Sequence, residues 1–136
     1  MVGMTPSELE GKVSAVLAQR GDVRFAILFG SSVARGPDAA RDIDVALSFD
    51  AAVSLMDLGA LAAVLETAVG KSVDLVDVEN ASTLLRWEIV RGGRVVAARD
   101  KARLLEFLAR VPLEYADLKP YLDREAEGLR RALGVT

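Results

Sequence analysis

Residues 25–48 hold the side chains best suited to chemistry. The run Phe25-Ala26-Ile27-Leu28-Phe29 ends in Gly30-Ser31-Ser32-Val33-Ala34-Arg35-Gly36, and after Pro37 to Arg41 comes Asp42-Ile43-Asp44-Val45-Ala46-Leu47-Ser48. Gly30 lets backbone approach a ligand closely, because no Cβ stands in the way. Ser31 and the backbone N–H groups that follow, beginning with Ser32, fall where a short helix starts, so orphan donors and a positive dipole end point at an anion. Asp42 and Asp44 are two apart in a predicted strand, which sends both carboxylates to one side. Ile43, Val45, Leu47 and Phe49 leave on the other side, as a core face requires. Two hard oxygen ligands beside a phosphate cradle describe a Mg²⁺–nucleotide site.

The composition narrows the chemistry further. The 136 residues include no histidine and no cysteine. That removes the commonest general base, the usual transition-metal ligands, thiol nucleophiles and disulfides. Catalysis must then run on carboxylates, hydroxyls, Lys or Arg, with a hard metal as their complement. A net charge of −3 gives no bulk electrostatic case for binding nucleic acid. Hydrophobic content of 51% with 27% charged residues argues for a packed globule. No apolar run is long enough to span a membrane, and no basic flank precedes an apolar stretch at the N-terminus. A cytoplasmic protein is the expectation.

The elements that must position these residues follow from local signals. Thr5-Pro6-Ser7-Glu8 opens a helix as N-cap, first-turn proline and capping box, and Leu9, Val13, Val16 and Leu17 keep helical spacing up to Gly21. Val23 to Phe29 is a strand, Gly30 to Arg35 a turn with a short helix, Pro37 to Arg41 a flexible loop, and Asp42 to Phe49 the acidic strand. Leu55 to Val69 reads as a helix ended by Gly70, and 72–78 as a third strand reached by a parallel crossover. Ser82 to Arg91 is a helix stopped by Gly92-Gly93, and Arg94 to Ala98 a fourth strand. From Asp100 to about Leu133 the pattern is helical, with Pro112 and Pro120 expected to kink or break it. The fold class is α/β: a small mixed sheet of about four strands flanked by helices, with a helical C-terminal segment over 100–133. We expect a single domain over 1–136 with its core at about 5–99.

Gly-Ser, ten residues, then Asp-x-Asp resembles the signature of the DNA polymerase β-like nucleotidyltransferase superfamily. Within it the chain is most similar to the minimal nucleotidyltransferase (MNT) domain, and Gly30 to Gly36 resembles that family's G-S-x-A-R-G form with one residue more before Ala34-Arg35-Gly36. The resemblance implies that Gly30 and Ser31, with the Ser32 amide, hold the phosphates of ATP. It implies that Asp42 and Asp44 ligate two Mg²⁺ ions. A third carboxylate from a neighbouring strand is expected, and Asp74, flanked by apolar residues, is preferred over Asp77 as metal ligand and steering group for the acceptor proton. Arg35 is placed to reach the triphosphate; Arg41 departs from the family's usual serine and is read as solvent-facing.

Small domains of this kind are known as antitoxins of a HEPN ribonuclease toxin, transferring AMP from ATP to a toxin tyrosine. A protein adenylyltransferase antitoxin is therefore the leading expectation, with a HEPN toxin as partner and a homo-oligomer left open. One alternative is an aminoglycoside-like small-molecule nucleotidyltransferase, which needs a further acidic wall from Glu79, Glu88 and Asp100. Another is a non-catalytic binding module using the stripe Leu104, Leu105, Leu108 and Val111, although core packing also explains that stripe. Trp87, Tyr115 and Tyr121 are read as core or helix-packing residues.

Overall fold

The computed structural model describes residues 3–135. In chain order it contains α1 (Pro6–Ala18), β1 (Val23–Phe29), α2 (Ser31–Ala34), a 3₁₀ turn (Pro37–Ala39), β2 (Asp42–Phe49), α3 (Leu55–Val69), β3 (Ser72–Asp77), α4 (Thr83–Gly92), β4 (Arg94–Ala98) and α5 (Lys101–Leu133). The helix starts use the short polar side chains anticipated. Thr5 accepts from the Glu8 amide at 3.1 Å, Ser54 from Asp57 at 3.1 Å and Ser82 from Leu85 at 3.2 Å. Gly70 ends α3 in the left-handed conformation, φ 76°.

The sheet order is β3-β2-β1-β4. β1 pairs antiparallel with both β2 and β4, while β2 and β3 run parallel, joined across one face by α3. Each face has its own core. Ile43, Val45, Leu47 and Phe49 pack with Leu9, Val13, Leu17, Leu61 and Leu65 of α1 and α3. On the opposite face Phe25, Ile27 and Ala46 meet Ile89 of α4 and Leu104, Phe107 and Val111 of α5. The Phe25 and Phe107 rings lie 5.3 Å apart, and Trp87 stacks on Tyr115 at 4.5 Å, tying α4 to α5. Among the described residues no helix is long and apolar enough to cross a membrane.

Three local expectations are corrected. The segment after Gly36 is not a free loop: Pro37–Ala39 forms a 3₁₀ turn with Pro37 and Ala40 buried. The prolines do not divide α5, which continues through both. Each proline removes the bond its own N–H would have made, to the carbonyls of Leu108 and Ala116, and its ring presses on the same carbonyl, yet the helix runs on past both. The first turns of α5 are fixed by buried Leu104, Phe107 and Val111 immediately before Pro112, and the exposed pair Lys119–Asp123 brackets Pro120 at 2.7 Å. Leu105, placed in the apolar stripe, is 65% exposed, and Phe107 fills the core position instead.

No residue of α5 beyond Val111 is buried, so the two ends of this helix differ in what they contribute. Phe107→Ala is expected to destabilise the chain by about 3–5 kcal/mol. Removal of residues 118–136 is expected to leave the midpoint of thermal unfolding within a few degrees, as followed by circular dichroism.

Candidate active site

The site lies where β1 ends and β2 and β3 begin. Phe29, the last residue of β1, pairs with Asp44, and the chain then turns at Gly30 with φ 75° and ψ −155°. This is a region of backbone space that only glycine enters without strain. A Cβ at Gly30 would stand 2.3 Å from Asp44 Oδ2, so the glycine also makes room for that carboxylate. In α2 the amides of Val33 and Ala34 donate to Gly30 O at 3.2 and 3.1 Å. The N–H groups of Ser31 and Ser32 precede the first intrahelical donor, as the opening amides of any helix do. Ser32 is buried and its hydroxyl donates to Phe29 O at 3.5 Å. Its side chain is therefore turned back toward the end of β1.

β2 supplies the acidic pair by alternation. Ile43 and Val45 enter the core under α1 and α3, which sends Asp42 and Asp44 to the α4/α5 face. The parallel register places a residue of β3 beside each of them. Asp44 is partnered by Asp74, and Asp42 by Ser72. Asp77 pairs with Leu47 and accepts from the Glu79 amide and from Asn80 Nδ2, both at 3.0 Å, which makes it a turn cap. Asp42, Asp44 and Asp74 thus outline an open L at the edge of the sheet, with Asp42 and Asp74 exposed and Asp44 half-buried.

Burial raises the pKa of Asp44 above its ordinary 3.8, and the negative charges of Asp74 and then Asp42 push it the same way. Among the described residues no three acidic side chains enclose a common point at metal-ligand spacing. The donor set nevertheless suits a hard cation: the three side chains offer carboxylate oxygens, and Gly30 leaves open the space into which Asp44 reaches.

Arg35 caps α2 and Arg41 precedes β2, both exposed, and neither forms an ion pair among the described residues. The second acidic wall is not assembled. Asp100 caps α5 and its amide donates to Arg24 O, at the end of β1 remote from Gly30. Glu79 follows β3 at that same remote end, and Glu88 is held by Arg91 at 2.7 Å. Sequence reasoning missed Lys71, whose Nζ donates to Ala40 O at 2.8 Å and to Pro37 O. A lone lysine after a glycine cap carries no local signal of such a contact.

Residues 11–102 match the family described as Polymerase beta, Nucleotidyltransferase. The chain belongs to that family. The matched span contains every acidic and glycine position of this nucleotidyltransferase site and stops in the first turn of α5. A Methanocaldococcus jannaschii protein provisionally named a protein adenylyltransferase is 32% identical over 87 residues, covering 64% of this chain and 92% of that protein. A crystal structure of a toxin–antitoxin MntA–HpeT variant superposes with a TM-score of 0.76 at 25% identity, covering 88% of this chain and 96% of that one. A toxin–antitoxin crystal structure with AMP-PNP gives 0.75 at 25% identity, over 88% and 97%. The nucleotidyltransferase thus has the fold of MNT antitoxins, including a four-stranded mixed sheet and a long C-terminal helix.

Asp44 has a measurable signature. With its pKa raised, the native state binds more protons than the unfolded chain between 3.8 and the raised value, so stability falls as pH rises through that window. Without divalent cations, Asp44→Asn is expected to flatten this slope and raise the unfolding midpoint at neutral pH by a few degrees. Thermal scans from about pH 4 to about pH 7 check it. Gly30→Ala is expected to lower stability at every pH by about 1–3 kcal/mol, measured by urea unfolding.

Proposed function

We propose that this chain transfers AMP from ATP to a protein hydroxyl, a tyrosine of a HEPN-type ribonuclease toxin, and in doing so acts as the antitoxin. The observation that carries the reading is the pairing of Asp44 with Asp74 in register, next to Asp42 and the left-handed Gly30. Family membership supports the reaction class, and the M. jannaschii relative's name supports a protein acceptor. The toxin–antitoxin complexes, one of them with AMP-PNP, support the partner and the nucleotide. The exposed edge formed by Asp42 and Asp74 suits an acceptor carried by another macromolecule, and the missing acidic wall leaves the small-molecule alternative without its main support.

In this reading Gly30 leaves space for the triphosphate, and the Ser31 and Ser32 amides donate to its β- and γ-phosphate oxygens. Arg35, free of ion pairs within the described chain, swings onto the same phosphates bidentately. Asp42, Asp44 and Asp74 would hold two Mg²⁺ ions, which when bound neutralise the triphosphate and acidify the acceptor hydroxyl. The tyrosine oxygen forms a bond to the α-phosphorus in line with the departing bridge oxygen, and pyrophosphate leaves with the electron pair of the broken bond. The tyrosine proton passes to a carboxylate oxygen of Asp74. Positioning and charge neutralisation do most of the work, which suits a site without histidine.

The test is transfer from ATP labelled at the α-phosphate, with Mg²⁺ and the product of the adjacent gene as acceptor. Label is expected on that protein's tyrosine, and the double variant Asp42→Asn, Asp44→Asn is expected to lose about 10³-fold of the rate, the loss of several kcal/mol of charge stabilisation. Label on a small alcohol or amine without any protein partner would overturn the protein-acceptor reading. A tight complex formed by both versions with no label would leave neutralisation by binding alone.

A further inference from the structure

The segment between the glycine turn and the acidic strand is gripped from two sides. From the N-terminal side, the Met4 amide donates to Asp38 Oδ1 at 3.1 Å. From the other side, Lys71 Nζ donates to Ala40 O at 2.8 Å and to Pro37 O, the two carbonyls that bracket the 3₁₀ turn. Lys71 occupies the step between the Gly70 cap of α3 and the first residue of β3, and that first residue, Ser72, is the partner of Asp42. A single half-buried ammonium thereby joins the peptide groups leading into Asp42 to the strand that carries Asp74. Among the described residues Lys71 forms no ion pair, so its charge is compensated by carbonyl dipoles of that turn.

We propose that Lys71 is a positioning residue for the carboxylate site, holding residues 37–41 so that Asp42 keeps its place beside Asp44 and Asp74. The clamp rests on the geometry above; its consequence for nucleotide binding rests on the proposed function. Two neutral features make the lysine necessary. The turn has no regular partner strand, and its closing bond, Ala40 N to Pro37 O, is long at 3.4 Å. Pro37 O thus has only a long bond from within the turn, and the ammonium donates to it and to Ala40 O at once. Ala40 is buried and Arg41 and Asp42 are exposed, so release of the clamp frees the solvent side of the loop first.

The experiment compares the wild-type chain with Lys71→Met, which keeps the apolar stem and loses the donors, and with Lys71→Arg, whose fork can still bridge two carbonyls. Hydrogen exchange is followed at the amides of residues 38–42, and the affinity for Mg²⁺ with AMP-PNP is measured by calorimetry. In Lys71→Met exchange at these amides is expected to rise about tenfold or more while Ala46 and Leu47 stay protected. Affinity is expected to fall about tenfold, as when a group supporting metal ligands is removed. Lys71→Arg is expected to recover most of both. Unchanged exchange would overturn the clamp, and faster exchange with undiminished affinity would reduce Lys71 to a purely structural cap. A wild-type chain that fails to bind Mg²⁺ with AMP-PNP would count against the nucleotide reading itself, while the exchange result would still decide the clamp.

Discussion

Two carboxylates held side by side across a parallel strand pair are the constraint on which the site depends. Asp44 and Asp74 repel each other, and burial makes the charge on Asp44 less favourable still. Repulsion between neighbouring like charges is on the order of 1–4 kcal/mol, depending on how much water screens it. The opposing force comes from the same two strands. Ile43, Val45, Leu47 and Val73 are buried under α1 and α3, each contributing about 1.5–3 kcal/mol. The apolar face outweighs the repulsion. A slip of one residue would relieve the charges only by turning this face to solvent, so the register stays put.

The same arrangement explains the glycine. Asp44 reaches into the space that a Cβ at position 30 would fill, so the turn that ends β1 and the carboxylate of β2 are built around each other. The positive φ at Gly30 directs the chain straight into α2, bringing its opening amides next to the acidic edge. A short helix start thus stands on one side of the acidic edge formed by Asp42, Asp44 and Asp74. The two outer carboxylates, Asp42 and Asp74, remain open to solvent.

Much of this was legible before any coordinates. The period-2 alternation of Asp42 to Phe49 separates core from site, and caps and glycines mark the ends of α1, α3 and α4 within a residue or so. The resemblance points to Asp74 through its apolar flanks and to Asp77 as a strand-end residue; that Asp74 lies beside Asp44 needs the strand register. What stayed hidden depended on distant contacts. The inward turn of the Ser32 hydroxyl, the ordering of 37–41 by Lys71 and Asp38, and the remote placement of Glu79 and Asp100 are set by tertiary neighbours. The continuity of α5 was misjudged because the proline rule is local, while the fixing of the helix by Leu104, Phe107 and Val111 is not.

The central claim is that Asp74, through its register with Asp44, completes the cation site, and that Asp77 does not. Titration of the chain with Mn²⁺ in the presence of AMP-PNP, read by electron paramagnetic resonance, tests this most directly when run on Asp74→Asn beside Asp77→Asn. Asp74→Asn is expected to lose bound Mn²⁺ while Asp77→Asn binds as the wild-type chain does. Full binding by Asp74→Asn, or its loss in Asp77→Asn, would contradict it.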